Sequence, residues 1–440
     1  MALTGFKYSK FTFVSADMQK SIDVLNSSGR ISVSNFSYYE NILSPHITGS
    51  ALITSSSEVI SSNDRQQRFE SLSSGLPLSV GSQLLVKITT DSSNSQPLLD
   101  FSSSINPYKQ LYITNIVQVS KDSTKEVIAI RFASRTAHLN ETTRVTRRYT
   151  SKITDSVKTI LQKELEIDDE YITIDDSSNS YSFIGMNRRP LDIIINLCNK
   201  TIPPQQTNPG YFCFETKSGF KYISADKIIN STPFPKKYKF NGQNVSTFEL
   251  KNTSNLYKLA SFSNLKDQDL LSQIRSGVYA TKNCFFNPAT NGFTEIDMSV
   301  IDNNKFSSLA QRPETPNIIQ ERNKKYHRVQ SCIFDCGAES NSPEINNSPE
   351  LYYAATSARY NILFSQIYSA TIMGNSLLEA GNVLDIEMES SSNKKEQGPD
   401  ERRSGRYIIH ALRHYFDNGI FTTHLKLIRD SYGLHFTRND

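Results

Sequence analysis

The sequence predicts a mainly β protein with an α+β insertion: two similar antiparallel β-barrel domains and one mixed α/β domain. Three observations predict it. Short runs rich in β-branched and aromatic residues fill residues 1–145 and return in 350–440. A helical period of apolar residues occurs only between them. The spacing Leu78-x-x-Gly81-x-x-Leu84-x-Val86 recurs as Leu378-x-x-Gly381-x-x-Leu384-x-Ile386.

In the first β region, strands are expected at 11–14, 31–33, 47–54, 83–89, 111–119 and 127–133, separated by clusters of Ser, Asn, Gly and Pro. The stretch 89–104 is dense in Ser, Asn and Asp and reads as an exposed loop. Many short strands with no helical period suggest a barrel or sandwich. The period changes at Ser151. Ile153, Val157, Ile160, Leu161 and Leu165 share one helical face, and Ser151 is placed to cap that helix. A second helix is expected from Pro190 to about Lys200, with Leu191, Ile194, Ile195 and Cys198 on one face and Pro203-Pro204 as its stop. A hairpin then joins 211–216 to 220–224 through Lys217-Ser218-Gly219, Gly219 supplying the positive φ of a three-residue loop. A short helix near 266–276 ends at Gly277, and 339–349 reads as a linker. The stretch 350–440 reads as β, and its last hairpin, 407–416 with 420–427, turns at Asp417-Asn418-Gly419.

Composition narrows the function classes. The 440 residues include 24 Phe and 21 Tyr, with 37% apolar and 21% charged residues. That fits half-buried strands and polar loops rather than a disordered chain, and the length suggests about three domains. No apolar run approaches the ~18 residues of a membrane span, and the start lacks a signal-peptide core. Five cysteines read as reduced thiols of a protein made in the cytoplasm. A net charge of +4 does not mark a dedicated nucleic-acid binder.

No motif assigns catalysis, a cofactor or a metal. A Gly-rich phosphate loop and a Gly-x-Ser-x-Gly elbow are absent from the sequence. Cys332 and Cys336 have the wrong spacing for a zinc knuckle and lack a second pair. His410 and His414 fall on one face of a strand, with His424 across the hairpin; a solvated barrel face is expected for them. Asp168-Asp169 and Asp175-Asp176 sit in polar loops, as do the clusters Arg144, Arg147, Arg148 and Lys394, Lys395, Arg402, Arg403, the last interleaved with Glu396, Asp400 and Glu401. A cell-wall glycan hydrolase would need two converging carboxylates, and a receptor-binding module an aromatic groove. For the latter, Tyr352, Tyr353 and Tyr360 are the candidates, and packing explains them better.

The two β regions read as one unit used twice. Besides the Leu-Gly-Leu spacing, Tyr112-Ile113 precedes Arg131-Phe132 by the same 19 residues that separate Tyr407-Ile408 from Lys426-Leu427. Two copies are too few for a solenoid.

Residues 374–384 and 404–430, with Gly374-Asn375, Gly381-Asn382, Ser404-Gly405-Arg406-Tyr407 and Thr422-Thr423-His424, resemble the second tube-like barrel of central hub proteins in baseplates of contractile-tailed bacteriophages. The first half is similar in plan, and the resemblance is weakest over 235–350. It implies 1–145 as the first tube-like barrel, 146–206 and 240–349 as parts of a mixed domain, 207–239 as the opening hairpin of the second barrel and 350–440 as its remainder. It further implies a non-enzymatic homotrimer in the virion tail. Three chains with two barrels each would make a pseudo-sixfold ring between a hexameric tail-tube ring and a trimeric spike, with baseplate wedge and tape-measure proteins as further partners. Because the sequence stops soon after the second barrel, the spike is expected on a separate polypeptide. The ring lumen is expected to lack concentrated positive charge, since clustered cations would hold phosphates. Neither specific nucleic-acid binding nor a membrane is implied.

Overall fold

The computed structural model describes residues 5–27, 29–56, 60–61, 69–70, 72, 78–91, 96–103, 106–122, 124–204, 209–246, 256–288, 291–299, 306–310, 319, 328–333, 349–390 and 399–432. The first β region contains β1 (Phe6–Val14), β2 (Ser21–Asp23), β3 (Ile31–Asn41), β4 (Thr48–Ser56), the two-residue pair β5 and β6 (Ile60–Ser61 and Phe69–Glu70), β7 (Gln83–Thr90), β8 (Pro97–Phe101), β9 (Leu111–Lys121) and β10 (Lys125–Ser134). Alternation along β4 buries Gly49, Ala51, Ile53 and Ser55 and leaves their neighbours half-exposed, the period of a sheet with one face in a core. That core joins Phe11, Phe36, Ile53, Val86, Ile130 and Phe132.

Two elements here differ from expectation. The polar stretch 89–104 is not all loop: β8 pairs with β7 and buries Leu98, Leu99 and Phe101. A helix, α1 (Arg135–Thr142), follows β10. Its buried residues are Thr136 and Asn140, so no apolar stripe announces it.

The middle is mixed, as expected: β11 (Arg148–Tyr149), α2 (Ile153–Lys163), β12 (Ile172–Ile174), β13 (Phe183–Ile184), α3 (Pro190–Cys198), β14 (Tyr211–Thr216), β15 (Gly219–Ser224) and α4 (Ala225–Ile229). The predicted face of α2 is buried, Leu165 just beyond it included. Ser151 does not cap it; Lys152 holds that position and the Ser151 hydroxyl meets Ser156 Oγ at 3.1 Å. In α3, Ile195 is exposed while Leu191, Ile194 and Cys198 are buried, and the helix ends well before Pro203. The 211–224 hairpin turns on two residues, because Thr216 pairs with Gly219. Glycine is required there by the Tyr171 carbonyl, 2.5 Å from where a Cβ would sit. This hairpin does not open the second barrel: its sheet is β12-β15-β14, packed on α2 and α3 through Tyr211, Cys213, Phe220 and Tyr222.

Next come β16 (Tyr238–Phe240), β17 (Leu259–Lys266), α5 (Leu270–Arg275), and a small sheet of β18 (Ala280–Asn287), β19 (Gly292–Ser299) and β20 (Arg328–Ile333). Gly277 ends α5 at φ +74°. The 339–348 part of the expected linker lies outside the described residues. A helix that the sequence reading lacked, α6 (Pro349–Leu363), precedes β21 (Gln366–Met373), β22 (Val383–Met388), β23 (Gly405–Asp417) and β24 (Ile420–Arg429). The β23–β24 turn is as predicted, with Asn418 at φ +48° and Gly419 at +74°. A second core collects Leu259, Ile372, Leu384, Ile386, Tyr407 and Leu427.

The two groups of strands form one fourteen-stranded sheet, ordered β17-β21-β24-β23-β3-β4-β10-β9-β7-β1-β2 with β8 and β16-β22 at its sides. The join is β3 with β23, from Asn35↔Asp417 to Asn41↔Ala411. The β23–β24 tip also closes the first barrel: Gly5 bridges Ile420, and Phe416 and Phe421 belong to the first core.

Candidate assembly interface

The repeat is visible bond by bond. Gly81 donates its amide to the Ile113 carbonyl at 2.8 Å, and Ile113 donates back to Ser82 O at 2.8 Å; Gly381 donates to Ile409 O at 2.9 Å, and Ile409 to Asn382 O at 2.8 Å. Both glycines have positive φ, +91° and +84°. The Ser82 and Asn382 side chains each accept the amide three residues back, from Ser79 and Glu379. These bonds make Ile113 the counterpart of Ile409, one residue away from the Ile113–Ile408 match that spacing suggested. The same bulge follows in both copies: β9 skips Thr114 against β10, and β23 skips His410 against β24. The two cores then receive equivalent side chains: Leu84 and Val86 in one, Leu384 and Ile386 in the other.

The join is therefore a contact between like units inside one chain. The join carries two adjoining concavities, about 520 and 450 Å³, which share Tyr39, His46 and Thr48. Arg131 lies opposite Ser50 in the first repeat and Lys426 opposite Ser369 in the second, so each repeat brings one cation to the same place. Arg413, at the join itself, is held by Ser37 Oγ at 2.8 Å and sits 4.2 Å from the centre of the Tyr415 ring.

Beneath the join, three buried carboxylates fasten the β14–β15 turn to both repeats. Glu40 accepts Lys217 N–H at 2.9 Å, Ala380 N–H at 2.8 Å and the Tyr38 hydroxyl at 2.8 Å. Glu379 accepts Lys221 Nζ at 2.7 Å and Ser218 Oγ at 2.8 Å. Glu215 accepts Ile47 N–H at 3.0 Å, with the Ser134 and Thr136 hydroxyls. Burial, and then the neighbouring Glu379, raise Glu40 to about 7. Burial works against Glu379 too, but Lys221 and Lys217 outweigh it and hold it below the usual carboxylate value. These groups are saturated with fixed donors, which suits a fastening rather than proton transfer to a substrate.

The residues singled out in the sequence are scattered. His414 is 1% exposed, not solvated; its Nδ1 lies 3.0 Å from Thr423 Oγ1, and burial, reinforced by Lys217, lowers it to about 3. His410 sits at the bulge, half-buried and lowered to about 4 by burial and Lys426, while His424 faces Arg413 across the strands. Asp169 pairs with Lys158, Asp175 with Lys227 and Ser224, and Asp176 with Lys152 and Thr154, all as local braces. Arg144 bonds the carbonyls that end α1, Arg147 reaches Glu164 at 3.7 Å, and Arg403 reaches Asp400 at 4.0 Å. Tyr352 is buried and Tyr360 donates to the Tyr211 carbonyl, so packing accounts for them. Cys332 is half-buried; Cys336, Lys394, Lys395 and Glu396 lie outside the described residues. Among the described residues no helix is long and apolar enough to cross a membrane. What the sequence reading missed is the join itself, whose partners are far apart in the chain.

No protein-family model matches the chain, and no curated protein matches it by sequence. Solved structures do match. A 43 kDa tail protein of prophage MuSo2 from Shewanella oneidensis aligns over 96% of this chain and 99% of its own, with a TM-score of 0.53 at 9% identity. A tail protein from Neisseria meningitidis MC58 aligns over 97% of each chain, with a TM-score of 0.52 at 9% identity. The chain shares the fold of these two tail proteins over nearly its whole length.

Proposed function

We propose that this chain is a structural hub of a phage tail baseplate. Three copies form a pseudo-sixfold ring that joins a hexameric tail-tube ring to a trimeric spike, in the virion tail. The observation that carries this reading is the doubled unit, with its matched glycine bonds and bulges, joined edge to edge within one chain. A molecule that already presents two like barrels side by side can imitate six with three copies. Full-length likeness to two tail proteins supports the same role. In this reading residues 1–145 make the first barrel, and 350–440 with β16 and β17 make most of the second. The concave face lines the channel. There Ser50, Thr48 and Ser369 alternate with three spaced cations, Arg131, Arg413 and Lys426, a density too low to hold a phosphate backbone tightly. The part is architectural rather than enzymatic, and wedge and tape-measure proteins are natural further neighbours.

Solution mass tests it. Obligate ring interfaces should each bury upwards of about 2,000 Å², so the purified chain should weigh as three copies and stay so on dilution. A stable monomer at high concentration would count against the hub.

A further inference from the structure

Outside the barrels, the mixed domain carries a groove of about 360 Å³ for which the hub reading has no use. One side is formed by Ile193, Asn196 and Leu197 of α3, with Lys200 just beyond the helix; the other is the segment 181–188. That second wall is aromatic and braced: Phe183 stacks on Tyr149 with ring centres 5.0 Å apart, and on Tyr181 at 5.8 Å. Its strand, β13, has one open edge. Gly185 and Asn187 donate to the Arg147 and Val145 carbonyls at 3.0 and 2.9 Å, so the N–H and C=O of Ile184 point away from β11. β11 and β13 make a sheet of two, and no further strand takes those groups.

The rim is apolar where water would favour polar residues. Met186 is 72% and Ile184 46% exposed. Met186 also stands where methionine fits badly. The turn Gly185-Met186-Asn187-Arg188 closes with the Arg188 N–H on the Gly185 carbonyl at 3.0 Å, and its two central residues have φ of +50° and +58°. Asn, Asp or Gly is the ordinary choice at such positions. The fold gains nothing from this methionine that an asparagine would not give. A flexible apolar side chain held left-handed and in water suits contact with a partner instead.

Charge says what that partner brings. Arg188 and Lys200 line the groove, and no acid lines it among the described residues. The Lys200 ammonium lies 4.1 Å from the centre of the Tyr181 ring and donates to the Tyr181 hydroxyl, which fixes it in the wall. Arg148, exposed, stands opposite Ile184.

We propose that this groove takes an extended acidic segment of a partner protein. A large apolar side chain of the segment sits against Phe183, Met186 and Leu197, its carboxylates meet Arg188 and Lys200, and its backbone adds to the open edge at Ile184. A nucleic acid fits less well, because a phosphate backbone would satisfy the cations and leave Met186 and Ile184 in water. The site belongs to the mixed domain alone and does not depend on the ring.

The test is selection of displayed random peptides on the full-length protein. Enriched peptides are then synthesised with a fluorescent label and titrated with wild type, Met186→Asn and Arg188→Glu. Both positions are exposed, and Met186→Asn suits the turn better than the native residue. The expected peptides carry acids beside a large apolar residue and bind more weakly as salt rises. Each variant should lose about tenfold or more in affinity, while the urea midpoint of Met186→Asn stays unchanged or rises. No enrichment, enriched peptides without acids, or binding that neither variant weakens overturns the proposal. A labelled single-stranded oligonucleotide that binds more tightly than the peptides, and is weakened by Arg188→Glu but not by Met186→Asn, overturns it in favour of nucleic acid. Solution mass reads the hub separately from all of these outcomes.

Discussion

The His414 imidazole lies nearly parallel to the Tyr38 ring across the join, with centroids 6.0 Å apart and planes 13° apart. Its Nδ1 meets Thr423, and no partner for Nε2 is present among the described residues. Burial and the nearby Lys217 lower it to about 3. An unfolded histidine takes up a proton near pH 6.5, whereas this one resists to about 3. Stability present above pH 6.5 is therefore lost as pH falls through that window. Acid unfolding of wild type should start below pH 6.5, and His414→Gln should flatten that limb by an amount on the order of a few kcal/mol. Urea midpoints at pH 7 and pH 4.5 measure it; an unchanged slope in the variant would refute the assignment.

Glu40 predicts the opposite slope. Its carboxyl is raised to about 7 by burial, then by Glu379. Between roughly pH 4.5 and 7 the folded chain holds a proton that the unfolded chain releases, so this group's contribution falls as pH rises. Removing it is worse than ionising it. Glu40→Ala strands the Lys217 and Ala380 amides and the Tyr38 hydroxyl in a buried place, a loss of about 3–5 kcal/mol. Thermal or urea unfolding of the variant checks the figure.

Two glycines admit aromatic rings where no Cβ fits. A Cβ on Gly49 would stand 2.2 Å from the Phe132 ring, and one on Gly374 would stand 2.1 Å from the Phe421 ring. Gly49→Ala and Gly374→Ala should each cost about 1–3 kcal/mol or more by overpacking. The rings are core members, so Gly49→Ala with Phe132→Leu should recover part of the loss. No recovery would mean that strain lies elsewhere.

The matched glycines should respond unequally to the same change. Among the described residues a Cβ on Gly81 would meet only Ala16 Cβ, at 4.0 Å, whereas one on Gly381 would come within 3.0 Å of the Phe214 ring. Gly81→Ala should cost about 1 kcal/mol, the penalty of positive φ alone. Gly381→Ala should cost more, and paired denaturation curves compare them.

The sequence was most legible where local chemistry decides the structure. Asp417-Asn418-Gly419 announced its hairpin, and the period from Ile153 to Leu165 announced α2, because both depend on neighbours in the chain. α1 stayed hidden because its buried side chains, Thr136 and Asn140, are polar. β8 stayed hidden because a five-residue strand lies in a Ser/Asn tract. His414 looked solvated because its burial comes from Tyr38 and Phe421, residues that strand pairing alone brings near. The join of β3 with β23 left no local trace. The repeat itself was readable from Gly81 and Gly381, but the bulges at Thr114 and His410 set its true alignment, and a spacing count cannot see a bulge.

The most direct measurement is a view down the axis of the purified assembly by electron microscopy. Six barrel densities should lie at one radius, alternating between two slightly different shapes so that the true symmetry is threefold. Isolated two-barrel particles, or a ring with any other number of barrels, would contradict the account.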